Sequence, residues 1–202
     1  MFTGITQGLA EVTAVINKPN LMQYSVRFNK KMLQKLKIGA SVAIDGVCQT
    51  VINIKDDIVT FNAIQNTLEI TTLRFLTKGK TVSIERSARF SDEIGGHVVA
   101  GHVIGTALII DLAKSLNQLT LTIQCKQAWL KYIFPKGFIA IDGSSLTIDK
   151  VNQHTNSFTI HLIPETLRIT NFLHKKIGDL VNLEIDAKTR IIVDTIRRVE
   201  LI

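Results

Sequence analysis

The sequence predicts an all-β protein: two tandem six-stranded antiparallel Greek-key barrels with short helices, followed by a C-terminal helix. Three observations carry this expectation. The stretch VAIDGVCQTV, Val42 to Val51, returns as IAIDGSSLTI, Ile139 to Ile148, 97 positions later. Apolar residues alternate with a period of two in short β-branched runs, as half-buried strands require. Turn-forming residues separate those runs at the spacing of a sandwich or barrel.

The duplication extends beyond one motif. Gly4 and Gly8 return as Gly101 and Gly105 at the same offset, and TLEIT from Thr67 returns as TLRIT from Thr166 two positions later. Solenoid and propeller repeats have periods of about 20–50 residues, so each copy is read as a domain of roughly ninety residues. The expected division is 1–96, 97–188 and a terminal helix over 189–202.

In the first copy, strands are expected at 10–16, 22–28, 41–44, 50–54, 59–63 and 81–84. Met22, Tyr24, Val26 and Phe28 alternate, as do Val59, Phe61 and Ala63. The second copy repeats the series at 103–110, 119–123, 138–141, 146–151, 158–162 and 180–185. Turns are expected at Lys55-Asp56-Asp57, at Asn152 to Asn156 and at the two Asp-Gly pairs, Asp45 and Asp142 being turn aspartates. Short helices are expected at 31–36 and 128–133, and at 67–73 and 166–173, the latter two begun by the capping threonines Thr67 and Thr166. The double glycine of FSDEIGG, 90–96, marks the linker. In 189–202, Ile192, Ile196 and Val199 form one apolar stripe, which either docks on its own barrel or associates with the same helix of other subunits.

Composition excludes several classes. Hydrophobic residues are 46% and charged residues 20%, which is ordinary for a globular chain rather than a disordered one. No stretch approaches a membrane span or a signal-like apolar core, so a cytoplasmic protein is expected. The two cysteines, Cys48 and Cys125, occupy unequal places in the copies and form no metal-ligand spacing, so they are read as reduced thiols. The net charge of +7 is densest at Lys30, Lys31, Lys35 and Lys37. Without interleaved aromatics this is a solvated face rather than a nucleic-acid platform.

Residues shared by the copies build the scaffold, whereas polar residues that differ are candidates for chemistry. Cys48 stands opposite Ser145, Gln49 opposite Leu146, Ser41 opposite Phe138, Ile5 opposite His102, Asn66 opposite Glu165 and Ser87 opposite Asp186. No phosphate loop, metal-ligand cluster or nucleophile elbow is present, so spacing alone names no reaction.

Several motifs in fixed order carry a resemblance: the opening MFTGI, IDGVCQTV, ERSARFSDEIGGHVVAGHV, KGFIAIDGSSLTI and HLIPETLRIT. Together they resemble the riboflavin synthases of the type built from duplicated lumazine-binding barrels, across essentially the whole chain. The resemblance implies a transferase that ends riboflavin biosynthesis. It converts two molecules of 6,7-dimethyl-8-ribityllumazine into riboflavin and 5-amino-6-ribitylaminouracil by transfer of a four-carbon unit, with no metal or organic cofactor. It also implies a homotrimer in which the N-terminal barrel of one subunit faces the C-terminal barrel of the next, gathered by the terminal helices, with no nucleic-acid or membrane partner. Association with lumazine synthase stays open. The rival within the resemblance is the non-catalytic lumazine protein type, which binds one chromophore.

Residue roles follow from the same matching. Cys48, Ser41 and His102 form an acid-base and nucleophile set, with Ser145, Thr147 and Asp186 supplied from the other barrel and Phe2 closing over the ring system. The first ligand wall is Gly4, Ile5, Thr6, Cys48, Gln49 and Thr50, continued by Asn62, Ala63, Ile64, Gln65, Asn66 and Thr67. The second is Gly101, His102, Val103, Lys136, Ser145, Leu146 and Thr147, continued by His161, Leu162, Ile163, Pro164, Glu165 and Thr166. Ala100, Gln49 and Asn66 depart from the family pattern, which often has serine, leucine and glutamate there; Asn66 can hydrogen-bond a hydroxyl but cannot act as a base.

Overall fold

The computed structural model describes residues 1–199; the last three residues of the expected terminal helix, Glu200, Leu201 and Ile202, lie outside the described residues. Twelve strands form two closed barrels. The first contains β1 (Gly8–Lys18), β2 (Leu21–Arg27), β3 (Ser41–Ile44), β4 (Val47–Lys55), β5 (Ile58–Ile64) and β6 (Thr81–Arg86). The second contains β7 (Gly105–Lys114), β8 (Leu119–Gln124), β9 (Phe138–Ile141), β10 (Ser144–Asn152), β11 (Ser157–Leu162) and β12 (Leu180–Ile185). Around the first barrel the order is β1-β2-β5-β4-β3-β6, and the second has the same cyclic order under the repeat. Both are antiparallel, and β2 lies beside β5 rather than β3, which is the Greek-key arrangement.

Alternation explains these strands. β2 reads half-buried, buried in strict turn, placing Met22, Tyr24 and Val26 inside and Leu21, Gln23 and Ser25 outside. Bulges interrupt β1, β4, β7 and β10 at equivalent places in the two copies, between Val12 and Ala14, Val51 and Asn53, Ile109 and Asp111, and Ile148 and Val151. Extra residues of this kind increase local bend, which closure of so small a barrel needs. Closure also removes the open edges that short strands would otherwise expose.

The Asp-Gly pairs form the tight turns expected of them. Asp45 and Gly46 have φ of 43° and 79°, and Asp142 and Gly143 have 44° and 83°, the two left-handed residues of a type I′ hairpin. The helical pieces differ in detail from expectation. α1 (Lys30–Leu33) is capped by the Asn29 side chain, and the segment Gln127–Tyr132 is a 3₁₀ turn. α2 (Gln65–Ile70) and α3 (Pro164–Ile169) begin ahead of Thr67 and Thr166, so those threonines do not cap them. Instead their carbonyls accept the hydroxyls of Thr71 and Thr170 one turn later.

The chain from Ser87 to Ile104 contains no strand, and the expected linker lies within it. α4 (Ala187–Val199) starts ahead of the expected bound because Asp186 caps it, accepting the Thr189 N–H and hydroxyl at 2.9 and 2.8 Å. The helix buries none of its residues. Asp194 binds Tyr132 and Lys131 of the second barrel, while Ile191, Ile192, Ile196 and Val199 are all exposed. Among the described residues no helix is long and apolar enough to cross a membrane, and Lys30, Lys31, Lys35 and Lys37 are exposed.

Candidate active site at the seam between the barrels

Equivalent residues meet across the seam. Phe2 and Val99, 97 positions apart, form a reciprocal antiparallel bridge with N–H to carbonyl distances of 2.7 and 3.0 Å. The Cys48 N–H donates to the Gly101 carbonyl at 3.0 Å, and the Ser145 N–H donates to the Gly4 carbonyl at 2.8 Å. Gly46 and Gly143 touch back to back, so closely that a Cβ on Gly46 would lie 2.3 Å from the Gly143 nitrogen. These reciprocal contacts define an approximate two-fold axis within one chain.

The opening segment of each copy therefore lies across the seam rather than on its own barrel alone. Its N–H groups point home: Thr3 and Gly4 donate to Glu85, and Ala100 and Gly101 donate to Glu184. Burial raises both glutamates above the ordinary range while those N–H bonds pull back. Its carbonyls reach the other barrel. Gly4 accordingly packs on Ser145 and Gly101 on Cys48, each glycine having a φ near +75° and no room for a Cβ. Val103 likewise joins the core of the first barrel.

Phe2 lies at the centre of the seam. It is 2% exposed, packed with Val99, Ala43 and Ala140 and beside Cys48. Its bridge to Val99 holds the ring in the seam, next to Cys48. Thr6 is also buried, its hydroxyl 3.2 Å from that of Ser144.

On the first wall, Cys48 is half-buried, and His102 is exposed one residue beyond the glycine that binds the Cys48 N–H. Ser41 pairs with Thr50 across β3 and β4. Gln49 turns inward and is buried. Asn62, at the end of β5, has a buried Oδ1 with no partner among the described residues. Ala63 is core, while Ile64, Gln65 and Asn66 are exposed and Thr67 half-exposed.

On the second wall, the Ser145 hydroxyl lies 2.7 Å from Nδ1 of His97, whose ring stacks on Phe138 at 5.2 Å. Burial pulls the imidazole below its ordinary range and the charge of Asp186 opposes this. For Asp186, partial burial pushes upward, but the Thr189 bonds and His97 outweigh it and hold the carboxyl low. A hydroxyl, an imidazole and a carboxylate are thus gathered where a proton can move between the first two. Thr147 is exposed and Leu146 is core. Lys136 and His161 both reach Asp149, at 3.6 and 3.2 Å, and His161 also meets the Thr120 hydroxyl at 2.9 Å. Leu162 is core, and Ile163, Pro164 and Glu165 are exposed, Glu165 being held by Arg168.

Sequence reasoning missed His97 and Asp149. His97 lies between the two matched repeats, 3–87 and 100–186, so the differences between equivalent positions do not single it out. Asp149 stands opposite Ile52 and was visible as a polar mismatch.

The far end of the seam is different chemistry. Asp45 accepts the Ser83 N–H at 2.7 Å and the Asn171 amide at 3.0 Å, and Asp142 accepts the Asn182 N–H at 2.7 Å and is ion-paired with the Lys175 ammonium at 2.8 Å. A cleft of about 590 Å³ opens there between Thr72, Lys80, Asn171 and Lys175. It holds none of the residues of either wall.

Comparison with known proteins agrees with this fold. A family model described as the lumazine binding domain matches twice, at residues 3–87 and 100–186. The riboflavin synthase of Escherichia coli (strain K12) is 46% identical over 201 residues, covering 98% of this chain and 93% of its own. That of Buchnera aphidicola subsp. Schizaphis graminum is 46% identical over 199 residues, covering 98% and 95%. That of Chlamydia trachomatis serovar D is 39% identical, covering 98% and 96%. Among solved structures, LumP complexed with riboflavin superposes with a TM-score of 0.85 at 24% identity, covering 92% of this chain and all of that one, and supports the fold. Two lumazine-binding domains meeting as unequal equivalents, with relatives of this identity along nearly the whole length, make the chain a member of the riboflavin synthase family.

Proposed function

We propose that the chain catalyses the riboflavin synthase reaction, in which one 6,7-dimethyl-8-ribityllumazine gives a four-carbon unit to a second. The products, riboflavin and 5-amino-6-ribitylaminouracil, together contain the atoms of the two substrates, so the conversion as written needs no external oxidant or reductant. The observation that carries this reading is the pairing of two walls with one backbone plan and different side chains: Cys48 against Ser145, Ile5 against His102. Two copies of one substrate can be held alike and treated differently. Holding both rings aligned replaces an encounter between free molecules, an advantage of up to about 7–11 kcal/mol.

The remaining barrier falls to proton movement. Cys48, Ser41 and His102 on the first wall, and Ser145 with His97 and Asp186 on the second, are the groups able to take the methyl proton of the donor and to assist addition to the acceptor. Asn62 supports ligand binding on the first wall, because its unpartnered Oδ1 can accept from a ring N–H or a ribityl hydroxyl.

Both walls end in exposed residues, Ile64 at 57% and Ile163 at 59%, and a second barrel face laid against each would complete a site. A homotrimer supplies that face. The exposed stripe Ile192, Ile196 and Val199 supports self-association through α4. On this reading the domains are 1–96 and 97–188, with 189–202 as the oligomerisation element.

The deciding assay mixes the purified protein with the ribityllumazine alone and follows riboflavin absorbance. Product formation is expected; tight binding without product would assign the lumazine-protein role instead. Deleting 189–202 is expected to give monomers by sedimentation, and an intact trimer would remove α4 as the assembly element.

A further inference from the structure

The two walls differ most just beneath their surfaces. β4 carries Gln49 where β10 carries Leu146, and β2 carries Tyr24 where β8 carries Leu121. The two leucines are part of the second core. In the first barrel the same positions form a buried polar chain. The Tyr24 hydroxyl donates to Gln49 Oε1 at 3.2 Å, and Gln49 Nε2 donates to the Cys48 carbonyl at 2.8 Å. Tyr24 is 1% and Gln49 5% exposed. A leucine pair fills this space in the other barrel without desolvating an amide and a hydroxyl, which is costly unless both are bonded. With both ends of the amide engaged, its orientation is fixed.

What the chain grips is the Cys48 peptide. In an antiparallel pair, a residue's N–H and carbonyl point to the same side. The Cys48 N–H leaves β3 to meet the Gly101 carbonyl, so the Cys48 carbonyl points away from β3 as well. On that side β5 gives no ladder partner, since its register with β4 starts only at Val51 and Phe61. Gln49 supplies the missing donor. At Ser145 the N–H is held in the same way by Gly4, but Leu146 has nothing to offer the carbonyl.

We propose that Gln49, anchored by Tyr24, is a positioning residue that locks the Cys48 peptide against the Gly101–His102 segment and so fixes the thiol of the first wall. The second wall lacks this device, which makes the two half-sites mechanically as well as chemically unequal. The inference rests on the reading that Cys48 belongs to the reaction site.

Gln49→Leu and the double variant Tyr24→Phe/Gln49→Leu test it, with three readouts: thermal midpoint, rate of native Cys48 alkylation by a maleimide, and kcat with KM on the ribityllumazine. Cys125 is buried, so the fast thiol phase reports Cys48. In Gln49→Leu the alkylation rate is expected to rise severalfold and kcat to fall about tenfold with little change in KM, as for a displaced reacting group. The midpoint also falls, because the Tyr24 hydroxyl loses its partner. The double variant should recover midpoint but neither thiol rate nor kcat. Recovery of all three together, or no change of thiol rate and kcat in folded Gln49→Leu, would reduce the pair to core packing. Should Gln49→Leu fail to fold, Tyr24→Phe alone removes one oxygen and loosens the same amide; an unchanged thiol rate there overturns the proposal. If the unaltered protein makes no riboflavin, the synthase reading fails while the thiol arm still decides this one.

Discussion

The two ends of the seam hold the barrels together by different means. At the wall end, the bonds are between backbones, Phe2 with Val99, Gly4 with Ser145 and Gly101 with Cys48, and both copies contribute equally. At the turn end, side chains dominate and the symmetry breaks: Lys175 neutralises Asp142, while its counterpart in the first copy is Leu76. Backbone contacts survive divergence of side chains, so the wall end keeps its frame while Cys48 and Ser145 go separate ways. Side-chain contacts record divergence, and the turn end sets two buried carboxylates beside one half-buried ammonium.

The largest test of that contrast removes the ring at the centre of the wall end. Phe2→Ala is expected to destabilise the fold by about 3–5 kcal/mol, the cost of a large cavity in a packed site. Val99→Ala, at the equivalent place, should cost about 2 kcal/mol because fewer methyl groups are lost. Chemical denaturation measures both, and equal losses would mean that the seam does not distinguish the copies by side-chain volume.

At the turn end, Lys175→Leu copies the first barrel. It leaves Asp142, fully buried, without its cation, and should cost about 3 kcal/mol at neutral pH. A loss no greater than that of an exposed lysine would show that the ammonium is not neutralising the pair.

A third test uses pH. Burial first, and the charge of Asp142 second, push the Asp45 carboxyl up from 3.8 to about 7, with Lys175 pulling back. The folded protein then keeps a proton that the unfolded chain releases near pH 4. Stability contributed by this group is therefore lost as pH rises from about 4 to about 7, and is level above that. Asp45→Asn should flatten this slope in thermal melts. An unchanged slope would assign it to Glu85 and Glu184, which burial also raises.

The smallest effect on stability, and the most direct on chemistry, is Cys48→Ala. It should lower turnover at least about tenfold, as loss of an acid-base partner does, while binding of the ribityllumazine changes little. Equal losses in both, or neither, would make Cys48 a packing residue.

Strand positions, the two I′ turns and the repeat were all legible in the sequence, and each has a local cause. Alternation in β2 is written in seven consecutive residues, and the turn chemistry of Asp45-Gly46 in two. The helix starts were less legible, because backbone geometry at Ile64 and Ile163, rather than a capping side chain, sets where α2 and α3 begin. The candidate residues most visible in sequence were those that differ between equivalent positions, such as Cys48 and Ser145. His97 was less legible because it lies between the two repeats. Gln49 stands out in the sequence as a departure, but its inward turn toward Tyr24 depends on packing.

The sequence by itself determined that a barrel was copied, which strands compose it and which family it belongs to, since period-two patterning, turn residues and motif order all act over short spans. Only the tertiary structure decided how the copies share their parts. The crossing of the opening segments, the burial of Phe2 and the hold of Gln49 on Cys48 depend on contacts that patterning within either copy does not specify. They arise because each barrel leaves unpaired backbone groups at its seam, and the nearest groups able to satisfy them belong to the other barrel or to a neighbouring side chain.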